Sequence, residues 1–93
     1  MTTTTTVDCP ASVWTQISTG SANVTAQLFS ATGAPIGFRI VVADTAPDNE
    51  DASLGLVSTP ANGGFAGRGL SAGVDNVYVR PLSVGGVAQV MAS

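Results

Sequence analysis

Short segments in which apolar and polar residues alternate, each closed by Gly, Pro or Asn, run through most of this 93-residue chain. The alternation has the two-residue period of a half-buried β-strand, and no segment keeps a helical period over the length of an ordinary helix. A chain of this length fits one domain. We therefore expect a single all-β domain over residues 1–93.

The first half of the chain predicts three strands. Residues 13–18 and 24–29 both alternate, and Gly20 between them breaks the pattern, so the two segments predict a β-hairpin. Residues 32–35 carry the Gly and Pro of a turn. Residues 36–42 are apolar on both faces, which is typical of a strand in the middle of a sheet.

The second half of the chain has a weaker pattern before it becomes regular again. Residues 52–58 predict one short strand, and the Gly-rich residues 63–69 predict a loop. Residues 76–80 and 87–91 alternate and predict a second hairpin. The count is six or seven short antiparallel strands, which favours a small β-sandwich, with a barrel as the alternative.

A run of five threonines follows Met1 and is too polar to form core. β-Branched residues are stiff and favour extended backbone. Two interpretations stay open: residues 1–7 form a flexible tail, or they form an extended arm that adds a strand to a neighbouring molecule. The arm interpretation makes the threonines candidate interface residues, namely Thr2, Thr3, Thr4, Thr5 and Thr6.

The charges argue against nucleic-acid and membrane partners. The chain has no Lys and no His, its formal net charge is −3, and its basic residues Arg39, Arg68 and Arg80 are spread along the sequence. A protein that binds phosphates needs a clustered basic face. We also find no signal-peptide pattern and no apolar run long enough to span a membrane, so we expect the chain to act without Sec export.

Residues for catalysis or cofactor binding are scarce. Without His or Lys there is no ordinary general base or Schiff-base amine, and the single Cys9 predicts a small buried apolar side chain. The acidic residues 44–51 lack calcium-loop spacing, and residues 63–69 lack the Lys of a phosphate loop. We expect a protein that is not an enzyme and has no cofactor, with an Asp8–Asp75 pair as the one open hydrolytic alternative.

Three segments carry a resemblance to a known group: residues 14–17, residues 46–47 and residues 73–80 with the terminal strand pattern. Their order resembles that of small all-β virion proteins of tailed bacteriophages, which include head decoration (cement) proteins and fibre or tail accessory proteins. The resemblance implies a structural component of the virion, made in the host cytoplasm, present in many symmetric copies and often trimeric. A major capsid or other virion protein would be its partner.

Self-association also follows from size, because a small chain buries only part of its apolar surface alone. Candidate contacts are apolar residues on the strand faces opposite the core, namely Phe29, Val41 and Tyr78. Trp14 and Tyr78 predict interface anchors, with a sugar-stacking platform as the alternative. The sequence thus predicts a homo-oligomeric capsid decoration protein, with a tail or fibre accessory protein or a glycan-binding module as the alternative.

Overall fold

The computed structural model describes residues 3–20, 22–48, 55–59, 65–70, 75–82 and 84–93, and the account below concerns these residues. They form nine strands and no helix. In chain order the strands are β1 (Thr3–Cys9), β2 (Thr15–Thr19), β3 (Asn23–Phe29), β4 (Pro35–Ile36), β5 (Phe38–Ala43), β6 (Leu56–Ser58), β7 (Phe65–Arg68), β8 (Asn76–Pro81) and β9 (Gly86–Ala92).

The strands make two antiparallel sheets that face each other as a β-sandwich. One sheet has five strands in the order β1-β9-β3-β4, and β7 pairs with the other half of the same edge of β3. The second sheet has four strands in the order β2-β8-β5-β6. The all-β sandwich is confirmed, and the described residues hold more strands than the expected six or seven because β4 and β7 were not anticipated.

The core lies between the inner faces of the two sheets. Alternate residues of each strand point inwards, as the pleat of a β-strand requires. Among the side chains that the structure describes, the inner positions are mostly buried and aliphatic, and Phe38 contributes an aromatic ring. The core cluster consists of Cys9, Ile17, Val24, Ala26, Leu28, Phe38, Ile40, Val77, Val79, Ala88 and Val90.

Both predicted hairpins are wrong. β2 and β3 lie in different sheets, and so do β8 and β9. The Gly20 N–H donates to the Asp75 carbonyl oxygen at 3.0 Å, and the Asn23 N–H donates to the Ser93 carbonyl oxygen at 3.1 Å. The chain between β2 and β3 therefore passes from one sheet to the other. The sequence pattern did not reveal this, because strands in facing sheets show the same alternation as neighbouring strands of one sheet.

The predicted turn and central strand are confirmed, with one break between them. The Gly33 N–H donates to the Ser30 carbonyl oxygen in a turn that connects β3 with β4. Gly37 then separates β4, whose Ile36 lies opposite Leu28, from β5, which lies between β8 and β6. The Leu82 N–H donates to the Gly37 carbonyl oxygen at 3.2 Å, which ties the break between β4 and β5 to the end of β8.

The threonine run is part of the sandwich. β1 pairs with β9 over its whole length, from Thr3 opposite Ala92 to Cys9 opposite Gly86. The described part of residues 1–7 is therefore neither a flexible tail nor an arm that leaves the domain. Thr2 lies outside the described residues. Cys9 is buried, as expected for a small apolar side chain.

Candidate functional site

The outer face of the four-stranded sheet carries a pair of arginines. Arg39 on β5 lies directly opposite Arg80 on β8. Their neighbours Phe38, Ile40 and Val79 are buried in the core, so by alternation the two arginines point outwards. Residues opposed across antiparallel strands have Cα atoms roughly 4.5–5.5 Å apart. Two of the three basic residues of the chain therefore share one small surface.

The two arginines carry like charges at close range. Like charges directly opposite each other on a sheet repel, which costs roughly 0.2–1 kcal/mol. Both arginines are half-buried, so solvent screens the repulsion incompletely. The Nε of Arg80 is buried and has no hydrogen-bond partner in the described structure. A buried guanidinium donor without an acceptor costs free energy.

Two aromatic side chains lie next to this arginine pair and are buried outside the main core. Tyr78 is only 5% exposed although its strand neighbours Val77 and Val79 take the inner positions. Trp14 immediately precedes β2 and is 6% exposed, and neither aromatic residue belongs to the core cluster. Continuing the β2–β8 register by one residue places Trp14 beside Arg80. This face therefore holds a second, smaller buried layer.

The expected exposure of the candidate contacts is only partly found. Tyr78 is buried, so the expectation of an exposed Tyr78 is wrong, and Trp14 is buried as well. Phe29 and Val41 are half-buried. Arg39 and Arg80 share the outer face with Tyr78, and aliphatic stems of arginine can cover apolar surface. The proposed interface role of these four residues stays a prediction.

Polar contacts secure the other end of the same face. The Thr19 hydroxyl donates to Asn76 Oδ1, which joins β2 to β8. The Asn76 Nδ2 donates to the Asp44 carbonyl oxygen at 2.9 Å, which holds the segment that follows β5. These contacts are solvent-exposed, so each contributes about 1 kcal/mol or less.

The outer face of the five-stranded sheet differs because its central rows carry no charge. One cross-strand row contains Thr6, Gln89 and Gln27, and the next contains Thr4, Met91 and Thr25. A shallow depression of about 150 Å³ lies over these rows. Thr4, Thr6 and Thr25 are exposed, so the threonine run contributes a polar, neutral surface.

β1 forms one edge of this sheet, and no described residue pairs with its outer side. The strand has seven residues, contains no proline, and has Asp8 near its end as its only charge. Natural proteins usually protect such edges with Lys, Pro, bulges or short strands. The run Thr3–Val7 has none of these, so its backbone N–H and C=O groups are a template for a further strand.

The opposite flank of the molecule exposes apolar side chains. On β6, the edge strand of the four-stranded sheet, Leu56 is 71% exposed and Val57 is 44% exposed. Val42 on the neighbouring β5 and Leu82 after β8 are also exposed. β1 packs across from β8, and β9 packs across from β2, so β1 and β6 lie on opposite flanks of the sandwich.

Two further depressions lie elsewhere on the described surface. One, of about 420 Å³, is lined by Asn23, Thr25, Ala66, Gly67 and Ser93. The other, of about 320 Å³, is lined by Asp8, Cys9, Pro10, Ala31 and residues 85–87.

The Cys9 thiol borders the second depression but is a poor nucleophile. Burial raises the pKa of Cys9 to about 11, with a smaller raising effect of the nearby Asp8 charge. The Sγ donates weakly to the Val7 carbonyl oxygen at 3.6 Å. The thiol is therefore protonated at neutral pH, whereas nucleophilic cysteines need a thiolate.

Other sequence predictions have mixed outcomes. Asp8 lies on β1 of one sheet and Asp75 precedes β8 of the other. Within the described ranges no group of three His, Cys, Asp or Glu residues could hold a metal ion.

The predicted strand 52–58 is present as Leu56–Ser58, and residues 52–54 lie outside the described residues. The loop predicted over 63–69 is wrong for Phe65–Arg68, which form β7.

The described part of the acidic segment lies at the surface of the protein. Asp44 and Asp48 are exposed, and residues 49–51 lie outside the described residues. In the part of the chain that the structure covers, no helix is long and apolar enough to cross a membrane.

Sequence reasoning missed the arginine pair, because Arg39 and Arg80 are far apart in the chain and only the β5–β8 register joins them. In each segment, the alternation of apolar and polar residues could have indicated that these two arginines point outwards. No family model, no curated protein and no solved structure matches this chain. Its function must therefore be argued from its own surfaces.

Proposed function

We propose that this chain is a non-enzymatic structural protein of a virion, most specifically a capsid decoration protein that binds the head surface of a tailed bacteriophage as a homo-oligomer. The observation that supports this proposal is the unprotected edge of β1, with the neutral run Thr3–Val7. A free edge of this length adds a strand from another chain by main-chain hydrogen bonds. Assembly is thus the activity that the surface favours.

The two flanks of the sandwich suggest how copies would associate. One flank presents the free β1 edge, and the other presents β6 with the exposed Leu56 and Val57. A head-to-tail contact between unlike flanks generates a closed ring when the rotation between copies closes. A trimer is the ring that the proposal favours. The ring would cover apolar side chains that a chain of this size leaves in water.

A glycan-binding module is the weaker proposal. Sugar stacking needs an exposed aromatic face. Trp14 and Tyr78 are 6% and 5% exposed, so neither ring offers such a face in this structure. A glycan array should give no saturable signal with the wild-type chain, whereas a reproducible saturable signal would replace the structural proposal with the lectin alternative.

The assembly proposal is tested by native mass measured over a dilution series. We expect wild type to be a trimer that dissociates on dilution. Thr6→Lys places a charge on the β1 edge and should shift dissociation to higher concentration. Gln89→Lys adds the same charge in the same cross-strand row but on the interior strand β9, so it should leave dissociation unchanged.

Two outcomes would contradict the assembly proposal. A wild-type chain that is monomeric at every concentration would remove homo-oligomerisation. Equal weakening by Thr6→Lys and Gln89→Lys would assign association to the outer face rather than the β1 edge. Placement on a phage head is tested by co-sedimentation with purified heads that lack decoration protein, where bound chain should appear in stoichiometric amounts.

A further inference from the structure

The depression at the end of β1 is not used by the proposed contact between copies. It has a volume of about 320 Å³ and is lined by Asp8, Cys9, Pro10, Ala31, Gly85, Gly86 and Val87. We propose that it binds a basic side chain, Lys or Arg, of a different protein, with the Asp8 carboxylate as the anionic partner. The inference rests on the proposed function for the identity of that protein, which would be a component of the head surface.

The cross-strand row of Asp8 combines one carboxylate with apolar neighbours. Asp8 lies opposite Val87 on β9, Val87 lies opposite Phe29 on β3, and Phe29 lies opposite Pro35 on β4. Each of the first three has a strand neighbour in the core cluster, so the row faces outwards.

The exposure of this row fits a ligand with two parts. Asp8 is exposed, whereas Val87 and Phe29 are half-buried and present apolar surface on the same face. Adjacent strands lie about 4.8 Å apart, so this surface extends about 10 Å from the carboxylate as far as Phe29. Lys and Arg side chains have the matching parts, a charged head and an aliphatic stem that covers apolar surface.

Charge favours a partner other than another copy of the chain. The chain has formal net charge −3 and contains no Lys. Arg39 and Arg80 lie on the outer face of the other sheet, and Arg68 is placed opposite Asn23, at the far end of β3 from Phe29. Complementary charge directs an acidic protein towards a basic surface, and like charge disfavours other partners. The occupant is thus a basic side chain from a different protein.

The shape of the depression suits a side chain that projects from a partner surface. The depression is open to solvent, whereas sites for free small molecules enclose most of the ligand. One exposed ion pair is weak and contributes up to about fivefold in affinity. In the proposed trimer three such sites would bind at once, and linked sites give an avidity that exceeds the affinity of each site.

The test measures binding of the chain to sensor surfaces that carry short glycine peptides with blocked termini and one varied residue. Lysine offers both the charge and the stem, norleucine offers the stem alone, and diaminopropionate offers the charge on a short stem. Surface plasmon resonance gives the equilibrium responses. We expect saturable binding to the lysine surface, about threefold tighter than to either of the other surfaces.

Matched variants locate the binding. Asp8→Asn removes the carboxylate and should lower the affinity for the lysine surface about threefold. Asp44→Asn removes the same charge from another exposed position and should leave this affinity unchanged. Val87→Thr makes the apolar row more polar and should weaken binding to lysine more than binding to diaminopropionate. Equal binding of wild type to lysine and norleucine, or equal losses in Asp8→Asn and Asp44→Asn, would overturn the proposal.

Native mass separates this site from association through the β1 edge. Asp8→Asn should leave the mass of the oligomer unchanged, because a different protein supplies the basic group. Dissociation of the oligomer by Asp8→Asn would assign the basic group to another copy and overturn the proposal. A wild-type chain that stays monomeric, or that does not sediment with heads, contradicts the proposed function instead, and the lysine surface then still decides whether the site exists.

Discussion

The two outer faces of the sandwich are built on the same alternation but differ in composition and burial. The face of the five-stranded sheet is open, and its central rows carry no charge, with Gln27 opposite Gln89. The equivalent row of the four-stranded sheet has Arg39 opposite Arg80, and Tyr78 nearby is almost completely buried. An outward position in a strand therefore does not by itself mean an exposed side chain.

This contrast divides the roles of the two sheets. The five-stranded sheet has an open outer face and the free β1 edge. The free edge suits extension by further strands. The four-stranded sheet has a second buried layer and the Arg39–Arg80 pair on its outer face. The free β1 edge and the second buried layer thus belong to different sheets, and the following changes test that contrast.

The largest expected effect is on the buried layer of the four-stranded sheet. Trp14→Ala should lower the free energy of unfolding by about 3–5 kcal/mol, because it removes a large buried side chain. Met91→Ala on the outer face of the five-stranded sheet should change it by about 0.5 kcal/mol or less, since Met91 is exposed. Urea denaturation followed by circular dichroism measures the free energy of unfolding of both variants. Equal losses would contradict the difference in burial between the two outer faces.

The next effect tests whether β1 is anchored in the core while its edge is free. The pKa of Cys9 is raised from 9.0 to about 11, so the folded state favours the neutral thiol. The resulting stability is fully present below about pH 9 and is lost between about pH 9 and 11. The loss corresponds to at most about 3 kcal/mol.

Unfolding free energies measured across this pH range provide the check, with Cys9→Ala as the control. The variant lacks the thiol, so its free energy of unfolding should fall less steeply between about pH 9 and 11. Identical slopes for wild type and Cys9→Ala would show that the inner end of β1 is not held in the core as described.

A smaller effect concerns the polar contacts at the end of the four-stranded face. Asn76→Ala removes the hydrogen bonds to Thr19 and to the Asp44 carbonyl oxygen. We expect a loss of about 1 kcal/mol, or about 4–8 °C in Tm. Gln27→Ala on the other outer face is the comparison and should shift Tm far less. A larger shift for Gln27→Ala would mean that the neutral face is not open.

The smallest effect comes from moving the charge pair to the other sheet. Gln27→Arg and Gln89→Arg together reproduce the Arg39–Arg80 arrangement on the five-stranded sheet. The double variant should be less stable than the sum of its single variants by roughly 0.2–1 kcal/mol, because like charges then oppose each other. Strict additivity at low salt would argue that the native pair is not repulsive either.

Sequence patterns located most strands but did not pair them. Residues 24–29 and 76–80 were recognised as strands because their alternation records which side faces the core. Their partners depend on long-range contacts that the alternation does not encode. β7 was missed because Gly67 and the glycines beside the strand in the sequence weaken the pattern, and it forms through backbone pairing with β3.

The candidate site was even less accessible to sequence reasoning. The threonine run was recognised as unusual, but both interpretations placed it outside the domain, and β9 holds it in the sheet. Trp14 and Tyr78 were expected at an interface because large aromatic residues are common there. Their burial results from neighbours on the same outer face, and those neighbours come from separate strands.

The sequence by itself determined the class of structure and the small number of side chains that could act in catalysis. Alternation and β-branched residues specify an all-β chain, and the lack of His and Lys limits its catalytic groups. Only the tertiary structure decided that Arg39 meets Arg80 and that β1 ends one sheet with a free edge. The reason is that a strand's face is set by its neighbours in the chain, whereas its register and partners are set by the packing of the whole sandwich.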